Sequence, residues 1–79
     1  MQRILIIRFS SIGDIVLTTP VVRLLRKRFP QADIRFVTKP TYLDLVRHNP
    51  YLNGVFLLDG GLSDLARQLK QFNPELIID

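Results

Sequence analysis

The sequence contains no cysteine and no tryptophan, and its one histidine is His48. Without cysteine there is no disulfide framework and no thiolate metal centre, and the composition suits a reducing compartment. A single histidine makes a histidine-built metal site unexpected as well, so no metal is assigned. Long apolar runs are missing too. The opening run Ile4–Ile7 is four residues long, against the ~20 that a membrane-crossing helix needs. "MQR" before so short a run does not make a signal peptide, so a cytoplasmic location is expected. Neither G-x-G-x-x-G nor G-x-x-x-x-G-K-[ST] occurs, which disfavours an ordinary dinucleotide or P-loop site. There is no fixed-period repeat and no low-complexity tract.

What is present is a short, moderately basic, apolar chain. It has 79 residues, 47% of them hydrophobic, and 11 basic against 7 acidic side chains for a net charge of +4. That is enough apolar content to form a core and too much for a disordered segment. It is short for a complete α/β domain, which usually reaches ~100 residues or more. Four of the cations crowd into "RLLRKR": Arg23, Arg26, Lys27 and Arg28. Such a cluster suits the carboxyl end of a helix dipole. Its sharper reading is a patch for anionic partners such as phosphorylated lipid headgroups. No aromatic residue interleaves with it, so a nucleic-acid partner is not expected.

Hydrophobic patterning alternates between two periods. "RILIIRF" (3–9) reads as a strand buried on both faces. After the next motif, Leu17, Val21, Leu24 and Leu25 recur at helical spacing, and the helix should stop before Pro30. "DIRFVT" (33–38) reads as a second strand and "PTYLDLVRHN" (40–49) as a short helix with Pro40 near its first turn. "GVFLLD" (54–59) is a third strand, broken by Gly60-Gly61. "LSDLARQLKQF" is a third helix, with Leu62, Leu65, Ala66 and Leu69 on one face. "ELIID" (75–79) is a fourth strand. The resulting βαβαβαβ order predicts α/β architecture: a Rossmann-like parallel sheet with helices on its faces. A chain that ends on a core-like strand is expected to be the front of a longer protein, with exposed apolar surface and a tendency to self-associate.

In such sheets ligands bind at the carboxyl ends of the strands. This makes "SSIGD", the loop after the first strand, the first candidate site. Two readings share its atoms. Ser11 and Asp14 have capping-box spacing, S-x-x-D, at a helix start. Alternatively the helix N-terminus presents N–H groups to an anion, Asp14 accepts a proton from a substrate hydroxyl, Ser10 and Ser11 contact a polar substrate, and Arg8 pairs with a phosphate or carboxylate. Gly13 would permit close approach of another element or a ligand. Pro20 either kinks a helix that begins near Ile12 or sits at the first position of one capped by Thr19.

The ordered set "SSIGD", "TTP", "RFPQADIRFV", "HNPYLNGVF" and "PELIID" resembles the N-terminus of glycosyltransferase family 9, the bacterial heptosyltransferases, over essentially the whole chain. Each piece is weak, but their order and spacing are specific. The resemblance implies a GT-B enzyme of two Rossmann-like domains. Residues 1–79 would be a truncated N-terminal, acceptor-side domain, and the C-terminal donor-binding domain would be absent. It implies inverting transfer of heptose from ADP-heptose to a lipopolysaccharide core acceptor, with no cofactor, by an enzyme that touches the inner face of the inner membrane. The motif aspartate, regarded as the base in that family, matches Asp14. Ser10, Ser11, Gly13 and Arg8 are the implied substrate-binding residues, and the isolated piece is expected to be inactive. Phe9 stands where better-known members carry a small polar residue, and Arg8 stands where many carry lysine. Two other readings remain open: a non-catalytic Rossmann-like binding module, and another nucleotide-sugar-dependent GT-B enzyme.

Overall fold

The computed structural model describes residues 2–79. Four strands and three helices alternate: β1 (Arg3–Ile7), α1 (Ile12–Arg28), β2 (Asp33–Thr38), a 3-10 turn (Pro40–Tyr42) leading into α2 (Leu43–Val46), β3 (Gly54–Leu57), α3 (Leu62–Phe72) and β4 (Leu76–Ile78). All strand pairs are parallel, in the order β3-β2-β1-β4. The expected α/β Rossmann-like sheet is therefore present. Three strands are shorter than their patterns: β1 ends at Ile7 rather than Phe9, β3 at Leu57 rather than Asp59, and β4 spans Leu76–Ile78 rather than 75–79. Arg8 is the last residue tied to the sheet on the β1 side, its N–H donating to the Val37 carbonyl at 3.0 Å.

Alternation along each strand sends its apolar side chains to both faces. Ile4 and Ile6 of β1 join Ile34 and Phe36 of β2 under Ile15 and Val22 of α1. Leu5 and Val37 point the other way and pack with Leu65 and Phe72 of α3. The sheet is thus covered by α1 and α2 on one face and by α3 on the other. Ile4, Ile34, Phe36 and Val37 are fully buried. Each such side chain contributes about 1.5–3 kcal/mol of transfer free energy.

Two helix faces differ from those expected. On α1 the residues that meet the sheet are Ile15 and Val22, with Leu25 and Phe29 packed against the same cluster. Leu17, Val21 and Leu24, expected inside, are exposed. On α3 Leu65 and Phe72 are buried and Leu69 packs against them, whereas Leu62 and Ala66 are exposed. The α1 helix is apolar around most of its circumference, so periodicity alone assigns no unique buried side. It also runs unbroken through Pro20 from Ile12, which excludes a start at Thr19.

The far end of the sheet is held by two arginines. Arg26 donates to the carbonyls of Pro30 (3.1 Å), Ala32 (2.7 Å) and Tyr51 (3.0 Å) and to Asn53 Oδ1, whose oxygen also accepts the Ile34 N–H at 2.8 Å. One side chain therefore fastens the end of α1 to the entries of β2 and β3. Read from the sequence, Arg26 belongs to a solvated cationic cluster; in the fold it is a brace. On the opposite face the Arg35 guanidinium stacks on the rings of Phe72 (4.9 Å) and Phe56 (5.3 Å) and pairs with both oxygens of Asp33 (2.9 and 3.0 Å). The hydrogen bonds to Asp33 hold its pKa above the ordinary arginine value.

Candidate functional site

The strand order fixes where a site can form. From β1 the chain steps to β2 and then β3 on one side, while β4 joins β1 on the other. The direction reverses between β1 and β4, and crevices at the carboxyl ends of strands open at such switch points. The loop from Arg8 to Ser11 leaves β1 at that place. Asp79 follows β4 beside it, since Ile6 is in register with Ile78.

The loop turns directly into α1. Ser11 is the N-cap in extended conformation, and its carbonyl accepts the Ile15 N–H at 2.9 Å. Ile12, Gly13 and Asp14 form the first turn. Ser10, Ser11, Gly13 and Asp14 are all exposed, and Arg8 is half-buried. All five residues singled out in the sequence therefore lie within one short segment at the carboxyl edge of β1.

The capping box is not formed. Ser11 makes no side-chain hydrogen bond to the first-turn amides. Its hydroxyl instead donates to Asp14 Oδ2 across a long 3.5 Å. That contact is the one hydrogen bond of the Asp14 carboxylate among the described residues, and neither Asp14 nor Arg8 forms an ion pair there. The carboxylate thus stands at a helix N-terminus, where the dipole favours negative charge, facing solvent. A Cβ built on Gly13 meets nothing within 4 Å. The close approach expected at Gly13 is therefore not to another element of this chain.

Other residues at the same edge are placed as follows. Lys39, after β2, is exposed. Gly60 takes φ +77° after β3 and needs to be glycine for the turn, but β3 is the outermost strand, two positions from β1. Thr38, the last residue of β2, carries no signal in the sequence, because threonine is an ordinary strand residue. It is fully buried, and its hydroxyl has no partner among the described residues. Surface depressions occur elsewhere: beside the end of α1 (Arg23, Leu24, Lys27, Tyr51), against α3 (Arg35, Phe56, Phe72) and beside α2 (Leu45, His48, Asn49). Asp14 lines none of these three. No group of three or more histidine, aspartate or glutamate side chains able to hold a metal ion occurs among the described residues.

No protein-family model matches the chain, and no curated protein does. A solved structure does: the glycosyl transferase family 9 protein from Veillonella parvula DSM 2008, with a TM-score of 0.81 at 27% sequence identity. The alignment covers 89% of this chain and 23% of that one, so the chain spans about a quarter of its neighbour's length. The resemblance to glycosyltransferase family 9 is thus borne out in three dimensions, and the chain is similar in fold to that family's protein over about a quarter of that protein's length.

Proposed function

We propose that residues 1–79 are the acceptor-side Rossmann-like unit of an inverting glycosyltransferase, and that Asp14 is its catalytic base. The observation that supports this most is the exposed Asp14 carboxylate at the switch point, whose only hydrogen bond among the described residues is the 3.5 Å contact to Ser11. A structural cap would engage backbone amides, and this one does not.

The chemistry asks for one such group. A sugar hydroxyl is a poor nucleophile until a base begins to remove its proton. In the proposed step the acceptor O–H proton passes to Asp14, the oxygen bonds to the anomeric carbon, and the bond from that carbon to the donor phosphate breaks. The transition state is oxocarbenium-like. A single displacement inverts the anomeric centre and releases a nucleoside diphosphate, whose charge needs cations or helix N-termini to stabilise it. Ser10 and Ser11 would hydrogen-bond the acceptor, Gly13 would leave room for it, and Arg8 would pair with an anionic group on it.

The finer reading follows the family resemblance: heptose as the transferred sugar, ADP-heptose as donor, a lipopolysaccharide core precursor as acceptor. It places the donor site in a second domain outside these residues, and the working protein in the bacterial cytoplasm, in contact with the inner membrane. Among the described residues no helix is long and apolar enough to cross a membrane; the proposed contact is a peripheral one. The test is transfer by the longer protein of which this chain is the acceptor side. Heptose should pass from ADP-heptose to the core acceptor with inversion, Asp14→Asn should abolish it, and the 79-residue chain alone should be inactive. Transfer with retained configuration, or transfer by the isolated chain, would overturn the reading.

A further inference from the structure

We propose that Phe9 is a positioning residue for Asp14: its ring, packed on the α3 face of the sheet, fixes the loop that leads into the first turn of α1 and so places the carboxylate. The proposal rests on the reading of Asp14 as the base and adds to it what holds that base in place.

Hydrogen bonding ties this segment loosely. The first amides of a helix have no intrahelical partner, and a side-chain cap ordinarily steadies them. Ser11 makes no such bond. Arg8 is tied to β2 through its N–H, 3.0 Å from the Val37 carbonyl, and Ser11 to the helix through its carbonyl, 2.9 Å from the Ile15 N–H. Between them, neither Phe9 nor Ser10 forms a backbone–backbone hydrogen bond among the described residues.

Apolar packing supplies the fastening. The alternation of β1 carries on past its end: Leu5, Ile7 and Phe9 belong to the α3 face, Ile4 and Ile6 to the α1 face. Phe9 is half-buried and packs against the cluster of Leu5, Val37, Leu65 and Phe72. Every residue from Ser10 to Asp14 is exposed. Ile15 follows directly and is buried in the cluster on the opposite face. The segment carrying Asp14 is thus slung between two apolar anchors on opposite sides of the sheet. Ile15 is also held by its helix, whereas Phe9 holds its end of the loop through the cluster. With that anchor removed, the loop and the uncapped first turn would shift together. A displacement of about 1 Å is enough to cost a reacting group about 10²-fold in rate.

The experiment is single-turnover transfer by the longer protein at saturating acceptor. Phe9→Ala should slow it at least about tenfold. Phe9→Leu, which keeps an apolar anchor, should stay within about threefold of the unaltered rate. Leu69→Ala is the control, because Leu69 packs on the same cluster from α3. It should lower the urea midpoint at least as far as Phe9→Ala does, yet change the rate less than about twofold. On an Asp14→Asn background Phe9→Ala should cost less than about threefold, since the group it acts through is gone. Amide exchange at Ser11 to Asp14 should quicken about tenfold in Phe9→Ala and not in Leu69→Ala. Should Phe9→Ala fail to fold by circular dichroism, Phe9→Val takes its place, with an expected loss of about three- to tenfold. Equal slowing by Leu69→Ala would reduce Phe9 to core packing and overturn the proposal. An undiminished cost of Phe9→Ala without the Asp14 carboxylate would overturn it as well. If Asp14→Asn abolishes transfer while Phe9→Ala leaves the rate unaltered, the positioning role falls and the base assignment stands. Unaltered transfer by Asp14→Asn alone removes the base assignment itself, and the positioning role with it.

Discussion

Replacing Gly13 by alanine separates what the chain needs to fold from what it needs to work. Gly13 is the second residue of α1, in the helical region, and apart from its chain neighbours and the backbone of its own helix nothing comes within 4 Å of where its Cβ would sit. Glycine inside a helix is less favourable than alanine by about 0.5–1 kcal/mol. In a first turn the lower figure applies. Gly13→Ala should therefore stabilise the chain by about 0.5 kcal/mol, which for a domain of this size raises Tm by about 2–4 °C. Thermal and urea unfolding followed by circular dichroism would read this. In the longer enzyme the same methyl group would project into the space proposed for the acceptor and should reduce kcat/KM at least about tenfold. A stabilised protein with impaired transfer is the expected pair. If Gly13→Ala is destabilised, the chain itself uses that space; if transfer is unchanged, the acceptor does not come near the first turn of α1.

Two further substitutions test the frame behind the site. Arg26→Met keeps the aliphatic stem but removes the bonds to three carbonyls and Asn53. Discounted for its partial exposure, the loss should be about 2–3 kcal/mol in urea unfolding, whereas Lys27→Met should stay within about 0.5 kcal/mol; equal effects would remove the distinction between brace and patch. Thr38→Val preserves shape while deleting a buried hydroxyl with no partner among the described residues, so unfolding should show no loss and a gain of up to about 1 kcal/mol. A clear loss would mean that the hydroxyl is hydrogen-bonded in solution.

Much of this fold is legible in the sequence because two periods alternate cleanly. The spans of β2 and α3 agree with their patterns residue for residue, since Asp33, Gly61 and the Asn73-Pro74 pair punctuate them. The α3 helix ends on Asn73 in the left-handed conformation, φ 52°, which asparagine tolerates, with its N–H donating to the Leu69 carbonyl at 3.0 Å. The inward face of α1 is not legible. Leu17, Val21 and Leu24 keep helical spacing as well as Ile15, Val22 and Leu25 do, and only the direction in which the chain leaves β1 decides between them. The site is legible as a place, because a loop after the first strand of a βαβ unit must lie at the carboxyl edge. Its internal bonding is not: S-x-x-D permits a capping box, yet the Ser11 hydroxyl turns to the Asp14 carboxylate. Arg26 and Thr38 escape sequence reasoning for a related reason. The Arg26 brace rests in part on Tyr51 and Asn53, 25 and 27 residues away, and the Thr38 hydroxyl has no partner among the described residues.

The central claim is that the Asp14 carboxylate removes a proton from the acceptor. Its most direct measurement is single-turnover transfer by the longer protein carrying Asp14→Asn, alongside its acceptor affinity and its unfolding curve. The account predicts a rate lowered by about 10²–10⁴, with acceptor binding and stability nearly unchanged, because the side chain is exposed and carries no cap. Transfer at close to the unaltered rate would contradict it.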